Sequence, residues 1–395
     1  MTYGKLICIV LDGVGIGALP DAAAYGDLGT NTIANTAGAV GGLKLPNLHR
    51  LGLGNITAID GVPSVSRPEG CFGKMGEQSK GKDSTTGHWE IAGVVTDRAF
   101  PVYPNGFPKP VLDKFLSSTG CKGYLANKPA SGTEIIKELG DEHVRTRFPI
   151  VYTSGDSVFQ IAAHEEVIPP DELYRICAIT REQVMVGEHR VGRIIARPFV
   201  GTSGHYSRTT NRRDFAVEPG GPTVLDLLFE HGVETIGVGK IDDLFSGKGL
   251  KEKIHTKSNS NGIDETVKIC SRFQSGFLFT NLVDFDQLYG HRQNPRGFAD
   301  ALEAFDRKLP RVLACLKPGD LLMITADHGN DPTDKSTDHS REYVPIICAG
   351  QSVKKGVDLG IRRSFADAGR TIAEYFGIDG TPSLAGSSFL SAIIA

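Results

Sequence analysis

Short unbroken apolar runs, each closed by a glycine, an aspartate or a polar turn, alternate along this chain with stretches where apolar residues return every three or four positions. Leu6–Leu11, Thr235–Val238, Phe277–Val283, Leu321–Thr325 and Val344–Ala349 are runs of the first kind. Their continuity predicts strands buried on both faces. Between them the period turns helical. Pro222, after Gly221, is expected to open a helix with Val224, Leu225, Leu228 and Phe229 on its apolar face and Gly232 past its end. Phe298, Leu302, Phe305 and Leu309 keep a 3.6-residue spacing, with a kink expected at Pro310. Ser364 reads as an N-cap with Asp367 in the capping-box position, Phe365, Ala368, Ile372 and Phe376 as the buried stripe, and Gly377 as the stop. Strand–helix alternation of this kind predicts an α/β core, a mostly parallel sheet flanked by helices.

The middle of the chain breaks that rhythm. Pro101, Pro104, Pro108 and Pro110 crowd its start, and Gly201, Gly204 and Gly220-Gly221-Pro222 mark its end. Ile150–Thr153, Val158–Ala162 and Val191–Ala196 read as strands inside it. Because the earlier pattern then resumes, the expectation is an inserted α+β domain at residues 98–220, with the core built from residues 1–97 and 221–395.

Charge narrows the partners. Lys and Arg number 43 against 46 Asp and Glu, so no global field draws the chain to nucleic acid or to an anionic membrane, and any phosphate must be gripped by local groups. Seven cysteines occur with no CxxC pair; several lie in apolar strings, such as Cys8 and Cys348, and read as buried free thiols. The apolar run Leu6–Leu11 is too short for a signal peptide or a membrane span. A cytoplasmic setting is the expectation. Glycine is abundant, 48 of 395 residues, about 12% against a usual ~7%, and many glycines directly follow apolar runs, where they permit tight strand-to-helix turns.

The chemistry collects at three strand ends. Leu6–Leu11 runs into Asp12; Phe277–Val283 into Asp284, Asp286 and then His291; Leu321–Thr325 into Asp327 and His328, followed by His339. In an open α/β sheet the carboxyl ends of strands line the ligand crevice, so Asp12, Asp286, His291, Asp327, His328 and His339 are expected to converge. Carboxylates mixed with imidazoles suit a pair of divalent ions, which can neutralise charge on a transferring phosphoryl group. Spacing alone does not separate Asp284 from Asp286, since both lie on one face of an extended segment. A second signal is Gly81-Lys82-Asp83-Ser84-Thr85-Thr86-Gly87-His88-Trp89-Glu90, where consecutive hydroxyls precede a helical stretch and place a nucleophile at a helix N-terminus.

Taken together the blocks VLDGVGIGALPDA, GKDSTTGHWEIAG, NKPASGTEI, IVYTSGDSVFQIAAHEE, VGRIIARPFVG, NLVDFDQLYGH and ITADHGNDPT…TDHSREYVP resemble, in order and nearly end to end, the phosphopentomutase family of the alkaline phosphatase superfamily. The resemblance implies an alkaline-phosphatase-like core with an inserted cap, and interconversion of ribose 1-phosphate, or its 2-deoxy analogue, with the 5-phosphate. It also implies two Mn²⁺ ions, other divalent ions being possible, and a sugar bisphosphate that primes the enzyme. By position, one ion would be held by Asp286, His291 and His339, and the other by Asp12, Asp327 and His328, which selects Asp286 over Asp284. The nucleophile position is Ser84, where the family usually has Thr, with Thr85 next to it. Asp156, Arg193, Arg208 and Lys240 match substrate contacts. The expected partners are small phosphosugars, met by a monomer, with neither nucleic acid nor membrane. The competing expectations are a hydrolase on the same dimetal core, a mutase of the phosphoglycerate type, and a metal- or phosphosugar-binding protein without catalysis; the last would lack a ligand or nucleophile, and none is missing.

Overall fold

A computed structural model describes residues 4–378 and 383–394. In chain order its strands are β1 (Lys5–Leu11), β2 (Cys71–Met75), β3 (Leu125–Pro129), β4 (Ile150–Thr153), β5 (Val158–His164), β6 (Arg193–Val200), β7 (Ser207–Arg208), β8 (Arg213–Ala216), β9 (Thr235–Val238), β10 (Glu252–Ile254), β11 (Gly276–Leu282), β12 (Leu321–Thr325), β13 (Val344–Ala349) and β14 (Asp358–Arg362). Two compact units result: Met1–Ala99 with Pro219–Ala395, and Phe100–Glu218.

The first unit carries an eight-stranded sheet in the order β10-β9-β11-β1-β12-β13-β2-β14. From β10 to β12 every neighbour is parallel. β13 runs antiparallel to both β12 and β2. β1 is central, and all seven of its residues are buried, as a parallel strand covered on both faces must be; its one charged residue, Lys5, is paired with Asp320 at 3.0 Å. This topology decides where the chemistry falls. β11, β1 and β12 are adjacent and parallel, so the residues that follow them emerge at one edge. β13 is antiparallel to β12, so residues just before β13 return to that same edge. β2 runs parallel in sense to β12, and its exit leads to the Ser84 segment there too.

Local sequence explains most helix ends, with two corrections. The helix expected to open at Pro222 instead spans Val224–Glu230, capped by Thr223. The Thr223 hydroxyl accepts from the Asp226 N–H while the Asp226 carboxylate accepts from the Thr223 N–H, a capping box that sets the start two residues beyond the proline. At the 366–375 helix Ser364 Oγ does accept from the Ala366 N–H, but Asp367 does not close a box. Its carboxylate takes Arg362 Nε at 2.7 Å and the Ser387 N–H at 2.7 Å, because charged and backbone donors from elsewhere in the fold outcompete the local one. The helix with the 3.6-residue stripe spans Pro295–Leu313 and continues past Pro310.

The second unit is a six-stranded mixed sheet, β3-β4-β5-β6-β7 with β8 also paired to β6. β5 shows the period of two. Phe159, Ile161 and Ala163 enter one apolar cluster with Phe107, Phe115 and Ile194, and Ala162 enters the other with Ile135, Tyr152 and Phe199. No described helix of either unit is long and apolar enough to cross a membrane.

Candidate active site

Each of the six proposed ligands and Ser84 reaches the same edge of the first sheet. Asp12 follows β1 and is 1% exposed; Asp327 and His328 follow β12 and are fully buried. His328 Nε2 stands 3.4 Å from Asp12 Oδ1 and 3.4 Å from Asp327 Oδ2. Beyond β11 the chain winds into a π-helical turn, Phe285–Gly290, which turns Asp286 inward. Its carboxylate lies 3.2 Å from His291 Nε2 and 3.4 Å from His339 Nε2. One donor atom each from Asp286, His291 and His339 falls within 4.8 Å of the others, and so do atoms of Asp12, Asp286 and His328. Asp286 therefore belongs to both groups. Asp284 points elsewhere: its Oδ2 accepts from the Asn259 N–H at 2.7 Å, and its own N–H donates to Asn259 Oδ1. The pair starts the neighbouring Asn259–Arg272 helix.

The imidazoles are aimed from behind. His291 Nδ1 meets the Thr337 carbonyl at 2.7 Å and His328 Nδ1 the Gly329 carbonyl at 3.0 Å, so Nε2 of each ring faces the carboxylates. The Asp286 hydrogen bond raises His291 to about 9. Burial opposes charge on His328, but Asp327 and Asp12 outweigh it and hold the ring well above its usual range. Burial likewise pushes Asp286 up, and His339 and His291 overcome it, holding the carboxyl well below the carboxylate range. Asp327 Oδ2 is fully buried, with His88 Nδ1 at 3.0 Å and His328 Nε2 at 3.4 Å. Three imidazole nitrogens and three buried carboxylates, with no sulfur among them, are a donor set that fits divalent cations.

Ser84 opens the helix Ser84–Ile91, which Asp83 caps by accepting from the Thr86 N–H at 3.1 Å. Ser84 Oγ lies 3.0 Å from His328 Nε2 and 3.4 Å from Asp12 Oδ1. Thr85 makes no side-chain hydrogen bond among the described residues. The helix sits so close to the end of β12 that a Cβ on Gly87 would fall 2.0 Å from the Asp327 carbonyl oxygen. Only glycine allows that approach.

Lys240 follows β9 on the same edge of the first unit, at the start of a short Ile241–Leu244 helix. The other three expected contacts lie in the second unit. Asp156 is exposed in the β4–β5 turn, and Arg193, the first residue of β6, donates its N–H to the Ser157 carbonyl beside it. Arg208 pairs with Phe199 toward the far end of β6. Arg193 and Phe199 share one face of the strand, roughly 20 Å apart at ~3.3 Å per residue, with Arg197 between them.

Comparison with known proteins agrees with this chemistry. Residues 4–380 match the Metalloenzyme superfamily profile. A phosphopentomutase of Carboxydothermus hydrogenoformans is 57% identical over 375 residues, 95% of this chain and 96% of that protein. One of Dictyoglomus turgidum is 55% identical over 389 residues, covering 98% of each. The chain belongs to the phosphopentomutase family. Family membership makes it an enzyme, an isomerase that moves a phosphoryl group. Its fold is also similar to the PH0037 protein of Pyrococcus horikoshii, TM-score 0.51 at 16% identity, over 96% of this chain and 99% of that one. A phosphoglycerate mutase of Leishmania mexicana gives TM-score 0.50 at 13% identity, over 98% and 97%.

Around this phosphopentomutase-family site stand residues that sequence reasoning passed over. Asn330 Nδ2 donates to Asp286 Oδ1 at 2.7 Å. Asn281 Nδ2 donates to Asp12 Oδ2 at 2.7 Å. His88 lies 3.0 Å from Asp327. Arg341, buried two residues after His339, ties down the segment before Ser84: it pairs with Glu77 at 2.8 Å and donates to the Ser79 and Gly81 carbonyls. Lys82 bridges Asp27 at 3.1 Å and Asp338 at 3.3 Å. One signal was available for Asn281, an amide inside an otherwise apolar run.

Proposed function

We propose that the chain interconverts ribose 1-phosphate, or its 2-deoxy analogue, and the corresponding 5-phosphate, using Ser84 as the carrier of the transferred phosphoryl group. The observation that carries this reading is the placement of Ser84 Oγ within 3.4 Å of both His328 and Asp12, two members of the carboxylate and imidazole cluster. Asp286, His291 and His339 would hold one divalent cation and Asp12, Asp327 and His328 the other, Mn²⁺ being the favoured ion. Bound there, the cations would supply charge neutralisation for the phosphoryl oxygens and a lowered pKa for the serine hydroxyl.

The protein's own groups do the rest. Ser84, phosphorylated beforehand by a sugar bisphosphate, presents its phosphoryl group to the free hydroxyl of the substrate. Transfer gives a pentose 1,5-bisphosphate, whose other phosphate then returns to Ser84 and leaves the isomeric monophosphate. The helix that begins at Ser84 directs its N-terminal dipole at the phosphate. Asp156 accepts from sugar hydroxyls, while Arg193, Arg208 and Lys240 engage phosphate. The separation of Arg193 from Arg208 along β6 supports separate contacts for the two arginines.

Phosphorus NMR of purified protein with Mn²⁺, a trace of sugar 1,6-bisphosphate and ribose 1-phosphate tests the reading. Accumulation of ribose 5-phosphate with little inorganic phosphate is expected. Release of inorganic phosphate instead would leave the metal cluster standing and make the protein a hydrolase.

A further inference from the structure

Behind the ligands, two fully enclosed polar side chains link the nucleophile's own backbone to two carboxylates. His88 is completely buried one helical turn after Ser84, and its Nδ1 lies 2.8 Å from the Ser84 carbonyl and 3.0 Å from Asp327 Oδ2. Its other ring nitrogen faces Asn281 Nδ2 at 3.3 Å, and that same amide nitrogen donates to Asp12 Oδ2 at 2.7 Å. Asp12 and Asp327 in turn both meet His328 Nε2. The contacts close a ring: Asp327, His88, Asn281, Asp12, His328.

The amide of Asn281 has one workable orientation, since its carbonyl turned toward Asp12 would set two acceptors against each other. In the orientation present, Asn281 Oδ1 is buried with no hydrogen-bond donor. An unsatisfied buried carbonyl destabilises the fold, and an apolar residue in the fully buried β11 strand would avoid it. Packing therefore does not account for the asparagine, whereas its bond to Asp12 does. Among the described residues neither His88 nor Asn281 hydrogen-bonds to Asp286, His291 or His339.

We propose that His88 and Asn281 are positioning residues that hold Asp12, Asp327 and the Ser84 turn in one geometry, and that they govern one of the two cation positions while leaving the other alone. This rests on the dinuclear reading above. The His88 ring sets the Asp327 carboxylate against the start of the nucleophile helix, and Asn281 sets Asp12 on the opposite side. Partners of this kind, hydrogen-bonded to metal ligands, change metal affinity by roughly 10–100-fold when removed.

The test is calorimetric titration of the metal-free, full-length protein with Mn²⁺, read as affinity for each of two equivalents. His88→Ala and Asn281→Ala should each weaken one equivalent by at least roughly tenfold and leave the second at its wild-type value. His88→Asn, whose amide nitrogen can take the place of Nδ1 toward Ser84 and Asp327, should recover part of the loss. Should the alanine at 88 prevent folding, Asn281→Ala and His88→Asn carry the same comparison. Wild-type affinity for both equivalents in these variants overturns the assignment. So does a parallel loss at both, which is the signature of a general packing role. A wild-type chain that takes up a single equivalent overturns the dinuclear reading itself, and this proposal with it.

Discussion

Two adjacent hydroxyls, Ser84 and Thr85, are equivalent in composition and opposite in surroundings. Ser84 Oγ meets His328 and Asp12, while the side chain of Thr85 has no hydrogen bond among the described residues. The difference comes from the helix start: Asp83 caps through Thr86, and the cap turns the first helical residue, not the second, toward the ligands. Ser84→Ala is expected to lower phosphoryl transfer by roughly 10⁴-fold or more, the scale seen when a nucleophile is removed, with Mn²⁺ binding retained. Thr85→Ala should keep activity within about tenfold of wild type, counting as a neighbour and not as the group that reacts. Turnover assays combined with phosphopeptide mapping of the primed enzyme decide the matter. Label found on Thr85 would transfer the role to it. In this region the sequence resemblance favoured Ser84 by position, and the contacts that separate the two hydroxyls arise only in the fold.

The helix Ser84–Ile91 is fixed at both ends by contacts distant in sequence. Near its far end the buried Glu90 carboxylate accepts from the Gln78 and Ser79 N–H groups, the Ser364 hydroxyl and the Phe365 N–H. Along its length Gly87 lets the helix touch the Asp327 carbonyl. Gly87→Ala forces either the helix or the Asp327 turn to move. Overpacking of this order destabilises by about 1–3 kcal/mol, and because Asp327 is a proposed ligand the variant should also bind Mn²⁺ more weakly. Thermal melts with and without Mn²⁺ would show both effects; an unchanged melting temperature would mean that the contact relaxes freely. The strands themselves were well marked. β4, β9, β12 and β13 begin and end where their apolar runs do, since burial on both faces favours continuous apolar residues. Helix caps were less legible. Asp367 matched a capping-box position, yet its carboxylate binds Arg362 and Ser387.

At the scale of the whole molecule, one buried histidine ties the stability of the second unit to pH. In the second, His143 is buried with Nδ1 at the Phe148 carbonyl, 2.7 Å, and Nε2 accepting from the His164 N–H, 2.9 Å. Those two bonds require the neutral ring, and burial lowers its pKa below the ordinary histidine value. Below about pH 6.5 the unfolded chain takes up a proton here that the folded chain resists. Stability is thus fully present above that pH and falls as pH drops toward the lowered folded value, by up to ~1.4 kcal/mol per pH unit for this single group. Urea melts at pH 7.5 and 5.5 should show the loss, and His143→Gln should reduce the difference between the two. An equal difference in the variant would clear His143 of responsibility.

From sequence alone came the α/β class, the apolar strands, and the six candidate ligands at three strand ends, because those features are written in local patterns of burial and in residue types that apolar runs exclude. The resemblance pointed to Asp286 and to Ser84; the tertiary structure supplied the contacts that turn Asp284 away to Asn259 and set Ser84 Oγ against His328 and Asp12, and it alone placed His88 and Asn281 behind Asp12 and Asp327. A polar side chain takes its function from its partners. Here those partners lie far off in the chain, Asn281 to Asp12 across 269 positions and His88 to Asn281 across 193. No window of local periodicity spans such distances; the order and direction of the strands bring them together.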